Sequence, residues 1–135
     1  MRGERERIAR YFAPLCSAEP GSFSLMDDAA VLAAPAGQRL VVTTDSVIQA
    51  VHVLPDATAQ QYAQKLIRRN LSDLAAMGAT PWRYALNLHT PHGLPDRWFA
   101  EFAATLASEQ ALFDMVLVGG DSTSSAGAAI HATLT

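Results

Sequence analysis

Residues 58–78 impose the firmest constraint on what this chain can become. Apolar side chains recur at Ala59, Tyr62, Ala63, Leu66, Ile67, Leu74 and Met77, the three- and four-residue spacing of a helix that buries one face. Thr58 precedes the run and Gln61 follows three residues later, a capping-box pattern that predicts where the helix starts. Gly78 predicts where it stops. Projected at about 100° per residue, Asn70 and Asp73 fall inside the apolar stripe and Arg68 on the far side. An amide and a carboxylate turned inward, one turn apart, conflict with packing, and such conflicts mark functional positions.

The rest of the chain is read around this helix. Residues 4–15 predict a short helix with Ile8, Tyr11, Phe12 and Leu15 on one face. Glu19-Pro20-Gly21-Ser22 is a turn, and the stretch from Phe23 to Leu32 holds Asp27-Asp28 between apolar residues. Leu40-Val41-Val42 predicts the buried half of a strand running from Arg39 to about Ile48. Its second half, Thr43-Thr44-Asp45-Ser46, should not be buried unless something occupies it. Pro81 to Leu88 is a strand with Trp82, Tyr84, Leu86 and Leu88 alternating, followed by a turn at Thr90–Gly93. Pro95 opens a second helix that turns Trp98, Phe99, Phe102, Leu106 and Phe113 inward. Met115–Val118 is a short buried strand ending in Gly119-Gly120-Asp121-Ser122-Thr123, and Ala128–Leu134 is a last strand. The order α-β-β-α-β-α-β-β predicts an α/β (α+β) fold: a mixed, mostly antiparallel sheet covered by two long helices. With 135 residues and neither repeat nor linker, the chain is expected to be a single domain.

Composition narrows the function. A net charge of −3 without a basic stripe argues against nucleic acid and anionic membrane as partners. No apolar run approaches a membrane span. Cys16 is the single cysteine, so no internal disulfide can form, and a cytoplasmic location is expected.

Asp28, Asp45, Asp73 and Asp121 each stand at the end or inner face of an apolar element. Singly, each has an ordinary structural reading: a solvated turn, a cap, a satisfied polar network or a tight turn. Together with Thr43 and Thr44 they offer hard oxygen ligands, the chemistry of magnesium. There is no Gly-x-x-x-x-Gly-Lys-Ser/Thr loop and no kinase glycine loop. Phosphates would therefore bind through carboxylate-held magnesium, with Gly119 and Gly120 allowing close backbone approach. His52 alone reads as a packing histidine, Lys65 as a solvated charge, and His89, His92 and His131 show no metal spacing.

Five segments carry a more specific resemblance: Asp27-Asp28-Ala29-Ala30-Val31, Thr43-Thr44-Asp45, His52, Asn70-Leu71-Ser72-Asp73-Leu74-Ala75-Ala76-Met77-Gly78-Ala79, and Gly119-Gly120-Asp121. In this order they resemble the N-terminal domain of the thiamine-monophosphate kinase family, whose superfamily includes aminoimidazole ribonucleotide and selenophosphate synthetases. The resemblance implies ATP-dependent phosphorylation of thiamine monophosphate to thiamine diphosphate by metal-assisted, direct in-line transfer without a general base. It implies several Mg²⁺ ions on the residues matching Asp28, Thr43, Thr44, Asp45, Asp73 and Asp121. ATP contacts are implied for Gly120 and Asp121, and a thiamine monophosphate contact for His52. We expect Asp45 and Asp121 to serve the metal on ATP, and Asp28 and Asp73 the metal shared with the acceptor. A homodimer through the sheet is also implied. Residues 1–135 would be the single N-terminal ATP- and magnesium-binding domain, and the family's C-terminal domain would supply the other wall of the cleft, leaving this part alone inactive. Met26 in place of a usual glycine, Ser122 after Gly-Gly-Asp, and Val53-Leu54 after His52 depart from the family pattern. The competing expectations are another ATP-using enzyme of the superfamily, or a non-catalytic dimerisation or nucleotide-binding module.

Overall fold

The structure is a computed structural model that describes residues 3–127 and 129–135. Ala128, placed at the start of the last expected strand, lies outside the described residues. The chain opens with α1 (Glu4–Arg7), which continues through a π-helical turn at Ile8–Phe12 and a 3-10 turn at Ala13–Cys16. A further 3-10 segment covers Pro20–Leu25. Then follow β1 (Asp45–Ile48), α2 (Ala59–Ala76), β2 (Arg83–Pro91), α3 (Asp96–Phe113), β3 (Val116–Ser125) and β4 (His131–Leu134).

The four strands form one sheet in the order β1-β4-β2-β3. β4 pairs antiparallel with both β1 and β2, and β3 runs parallel to β2. The sheet is thus mixed and mostly antiparallel, as the element order predicts. The parallel pair is joined through α3, because parallel neighbours need a long crossover.

α2 is built as its sequence dictates. The Thr58 hydroxyl accepts from the Gln61 N–H, and the Gln61 side chain accepts from the Thr58 N–H. Tyr62, Ala63, Leu66 and Ile67 bury completely against the sheet with Val47, Ala132, Leu134, Leu86 and Leu88. α3 adds Phe99, Phe102 and Leu106 to the same core and ends at Asp114, whose left-handed backbone (φ 53°) closes the helix. Two hydroxyls lock helices to sheet. Tyr62 lies between the carbonyls of Val47 and Ile130, and Tyr84 donates to Gln110 Oε1 at 2.7 Å.

Five expectations are corrected. Leu40, Val41 and Val42 are not a buried strand; they are 58%, 42% and 75% exposed, and β1 begins only at Asp45. In the observed register Asp45 pairs with Leu134, so the residues before Thr44 have no strand opposite them. The first strand implied by the α-β-β order, over Phe23–Leu32, does not form either: a 3-10 segment covers Pro20–Leu25 and irregular chain follows. Gly119-Gly120-Asp121 does not end β3, which runs on to Ser125, and β2 reaches Pro91 where a turn was expected. Finally, the inward stripe of α2 ends at Asn70: Asp73 is exposed and Met77 is 70% exposed. The last turns of α2 face a cavity of about 600 Å³ that the exposed 38–43 segment also lines, rather than the sheet core.

Arg68 is exposed outside the apolar stripe of α2, as expected, and its head group reaches across to α3. Its Nε and Nη2 donate to Glu109 at 2.9 and 2.8 Å, and the Glu109 side chain is only 4% exposed. R68A strands that carboxylate without its cation, and its melting temperature should fall by roughly 5 °C. Because a buried ion pair is replaceable by apolar groups of similar size, R68M/E109M should recover most of the loss in the same thermal melts.

Candidate functional site

The residues singled out in the sequence gather in two places. A cavity of about 450 Å³ opens between the N-terminal helical segment and the edge strand β3. Asp27, Asp28, Gly119, Gly120, Asp121 and Ser122 all line it. Residues from two ends of the chain thus meet at one concave, solvent-open site of a size that suits a small ligand. Gly120 is required here by packing. Its φ is 146°, and a Cβ on it would lie 1.8 Å from the Leu86 carbonyl oxygen, inside the β2–β3 pair. A Cβ on Gly119 would meet nothing within 4 Å, so its bare backbone lines open space.

The second place is where β1 starts, beside the C-terminal half of α2. Thr43 Oγ1 donates to Asp73 Oδ2 at 3.0 Å. The Thr44 and Thr135 hydroxyls are 3.0 Å apart. Asp45 is held on two sides. Arg69 Nε reaches Oδ2 at 2.7 Å and Nη2 reaches Oδ1 at 3.0 Å, while the Ser46 N–H donates to Oδ1 at 2.8 Å. The Arg69 guanidinium holds the Asp45 carboxyl below its ordinary range, helped by the Ser46 N–H and opposed by partial burial. Asn70 is buried; its Nδ2 donates to the Leu66 carbonyl at 3.0 Å and lies 3.5 Å from that of Asp45. Its Oδ1 is buried and has no hydrogen-bond partner among the described residues.

The two places share one row of the sheet. Asp45 pairs with Leu134, Leu134 with Leu86, and Leu86 with Gly120. Three strand spacings of about 4.8 Å put them roughly 14 Å apart. Among the described residues no group of three or more His, Cys, Asp or Glu is close enough to hold a metal ion. The aspartates therefore group as Asp28 with Asp121, and Asp45 with Asp73, unlike the division expected from the sequence. The chemistry of both sets fits a hard divalent cation, since every candidate ligand is a carboxylate or hydroxyl oxygen and a buried amide oxygen has no donor among the described residues.

His52 folds back on β1. Its Nδ1 accepts from the Ile48 N–H at 3.0 Å, which leaves Nε2 to carry the proton in the neutral ring. His89, by contrast, is absorbed by β3, with Nδ1 2.9 Å from Thr123 Oγ1 and Nε2 3.0 Å from Ser125 Oγ. Sequence reading missed Arg69. Its signal was present, since it stands four residues before Asp73 on the same helix, where an opposite charge is a neighbour.

Fold and site together define a mixed-sheet α/β domain with one oxygen-rich cluster where β1 starts and another beside the middle of β3. The chain belongs to the family described as AIR synthase related protein, N-terminal domain, which matches residues 26–135. Over 92% of its length it is 42% identical to the thiamine-monophosphate kinase of Caulobacter vibrioides, of which it covers 35%. It superposes on the thiamine-monophosphate kinase from Stenotrophomonas maltophilia K279a with a TM-score of 0.71 at 35% identity, covering 81% of this chain and 34% of that one. AaThiL complexed with AMPPCP and TMP gives a TM-score of 0.64 at 25% identity, covering 68% of this chain and 29% of that one. The chain thus spans about a third of the length of the curated relatives it matches.

Two outcomes test this geometry. G120A forces a side chain into the Leu86 backbone and should cost about 2 kcal/mol or more in chemical denaturation, whereas G119A costs less. Asp45 is a carboxyl with a lowered folded-state value. Its contribution is present above the ordinary carboxylate range and lost as pH falls through that lowered value. Wild type should therefore be more stable than D45N at neutral pH, and the difference should vanish in strong acid.

Proposed function

We propose that this chain is the N-terminal part of a thiamine-monophosphate kinase, transferring a phosphoryl group from ATP to thiamine monophosphate to give thiamine diphosphate. The observation that carries this reading is the match to such kinases over nine-tenths of the chain, with Asp28, Gly120 and Asp121 meeting at one cavity. A related chain, AaThiL, has been seen with AMPPCP and TMP, which supports ATP and thiamine monophosphate as the two substrates.

In this reading Gly120 and Asp121 contact ATP, and Asp28 stands across the same cavity. Asp28, Thr43, Thr44, Asp45, Asp73 and Asp121 would hold Mg²⁺, which when bound neutralises charge between two polyanions. Thr43 orients Asp73 through its hydroxyl. His52, with Nδ1 occupied by Ile48 N–H, presents an Nε2–H donor to the acceptor substrate. The acceptor is a phosphate monoester whose second pKa is about 6, so it is already largely a dianion and needs no general base. The residues' task is to position two anions for direct in-line attack, not to move a proton. We further propose that residues 1–135 are one ATP- and magnesium-binding domain completed by a C-terminal domain, in a cytoplasmic homodimer formed through the sheet.

The test is transfer from ATP to thiamine monophosphate with Mg²⁺, followed by thiamine diphosphate formation, on the full chain including any segment that follows Thr135. D121N and D73N should each lower kcat/KM by about 100-fold or more. Residues 1–135 alone should form no product. Unchanged turnover in D121N, or no product from the folded full chain, would overturn the assignment.

A further inference from the structure

Arg68 and Arg69 are neighbours on α2, and each forks onto a carboxylate. The two pairs differ in their surroundings. Arg68 is 54% exposed but the Glu109 beneath it is only 4% exposed, so the difference between the pairs lies in the carboxylate that each arginine covers. Asp45, under Arg69, is 27% exposed, and Arg69 itself is 34% exposed. Water reaches the second pair, screens it, and leaves the arginine free to swing outward from the helix surface.

Asp45 is seated without Arg69. It belongs to β1, its Oδ1 accepts the Ser46 N–H, and the Asn70 amide lies 3.5 Å from its backbone carbonyl. The backbone and the Ser46 N–H thus keep Asp45 in place when the arginine leaves, and what the arginine adds is charge and a second pair of hydrogen bonds. Asp73 stands one helical turn further along α2 and also attracts the Arg69 charge. One guanidinium thus serves two of the carboxylates read above as metal ligands, and it occupies both oxygens of the nearer one.

We propose that Arg69 is a resident cation at the Asp45 carboxylate, which a divalent metal must displace, so that this one side chain sets the metal affinity of the β1–α2 site. The inference rests on Asp45 being a metal ligand. A guanidinium and a divalent cation repel each other and cannot share one carboxylate edge. Arg69 leaves when metal arrives, and without metal it neutralises the carboxylate in the metal's place. The released guanidinium is then a free anion-binding group beside the site, at the moment when a phosphate-bearing ligand needs one.

The experiment titrates Mn²⁺ into the full chain, including any segment that follows Thr135, and reads free Mn²⁺ by EPR without any nucleotide. R69M should bind Mn²⁺ about fivefold more tightly than wild type, the scale of one water-exposed charge pair. R69K, which keeps the charge but loses the fork, should fall between them and serves if R69M does not fold. The gain should disappear when Asp45 is already Asn, so R69M/D45N and D45N should bind alike. Unchanged or weaker Mn²⁺ binding by R69M, or the same gain in the D45N background, would overturn the proposal. Because the readout is metal affinity and not phosphoryl transfer, failure here leaves the kinase assignment standing. A kinase assay that fails leaves the Mn²⁺ result to be judged by itself.

Discussion

The seating of α2 on β1 is the contact on which the rest depends. Tyr62, Leu66 and Asn70 lie on one helix face at four-residue spacing and are all buried. Tyr62 reaches the carbonyl of Val47, and the Asn70 amide approaches that of Asp45. With those positions fixed, Arg69 and Asp73 have no freedom in register. Arg69 must emerge beside the Asp45 carboxylate, and Asp73 one turn on must emerge beside Thr43. The polar end of β1 and the polar end of α2 are thus placed by the same apolar contacts that build the core.

Charge is used in three ways around that framework. Glu109 with Arg68 is a buried carboxylate paired across two helices, where loss of the cation is costly. Glu19 with Arg83, at 2.7 Å, ties the N-terminal helical segment to the start of β2, and the guanidinium lowers the Glu19 carboxyl below its ordinary range. Asp45 with Arg69 has the same forked geometry but lies open to water. Geometry alone does not separate a structural ion pair from an exchangeable one; solvent access of the carboxylate does, 4% at Glu109 against 27% at Asp45, because it sets whether a competitor can enter.

Sheet order explains how residues far apart in sequence become one site. β3 lies at the edge and beside β2 because α3 carries the chain back parallel, which places Gly120 against Leu86 and Asp121 over the cavity that Asp28 lines. β4 lies between β1 and β2, which sets the Asp45 cluster in the same row at a distance of two intervening strands. Asp45 and Gly120 thus stand in one strand row, with Asp121 one residue further along β3.

Local patterns in the sequence determined α2 with its capping box, α3 opening at Pro95, the alternation of Tyr84, Leu86 and Leu88, and the identity of the acidic positions, because each depends on neighbours within a few residues. Hydrophobicity misled at Leu40-Val41-Val42 and at Met77: the pattern says which residues can be buried, and only pairing says whether anything covers them. The same holds for the site. That Asp28, Asp45, Asp73 and Asp121 are chemically alike is visible in the chain. Their division into two pairs, the bare contact of Gly120 with Leu86, and the guanidinium resting on Asp45 were decided by the tertiary structure, because they follow from strand order and helix rotation, which no local spacing encodes.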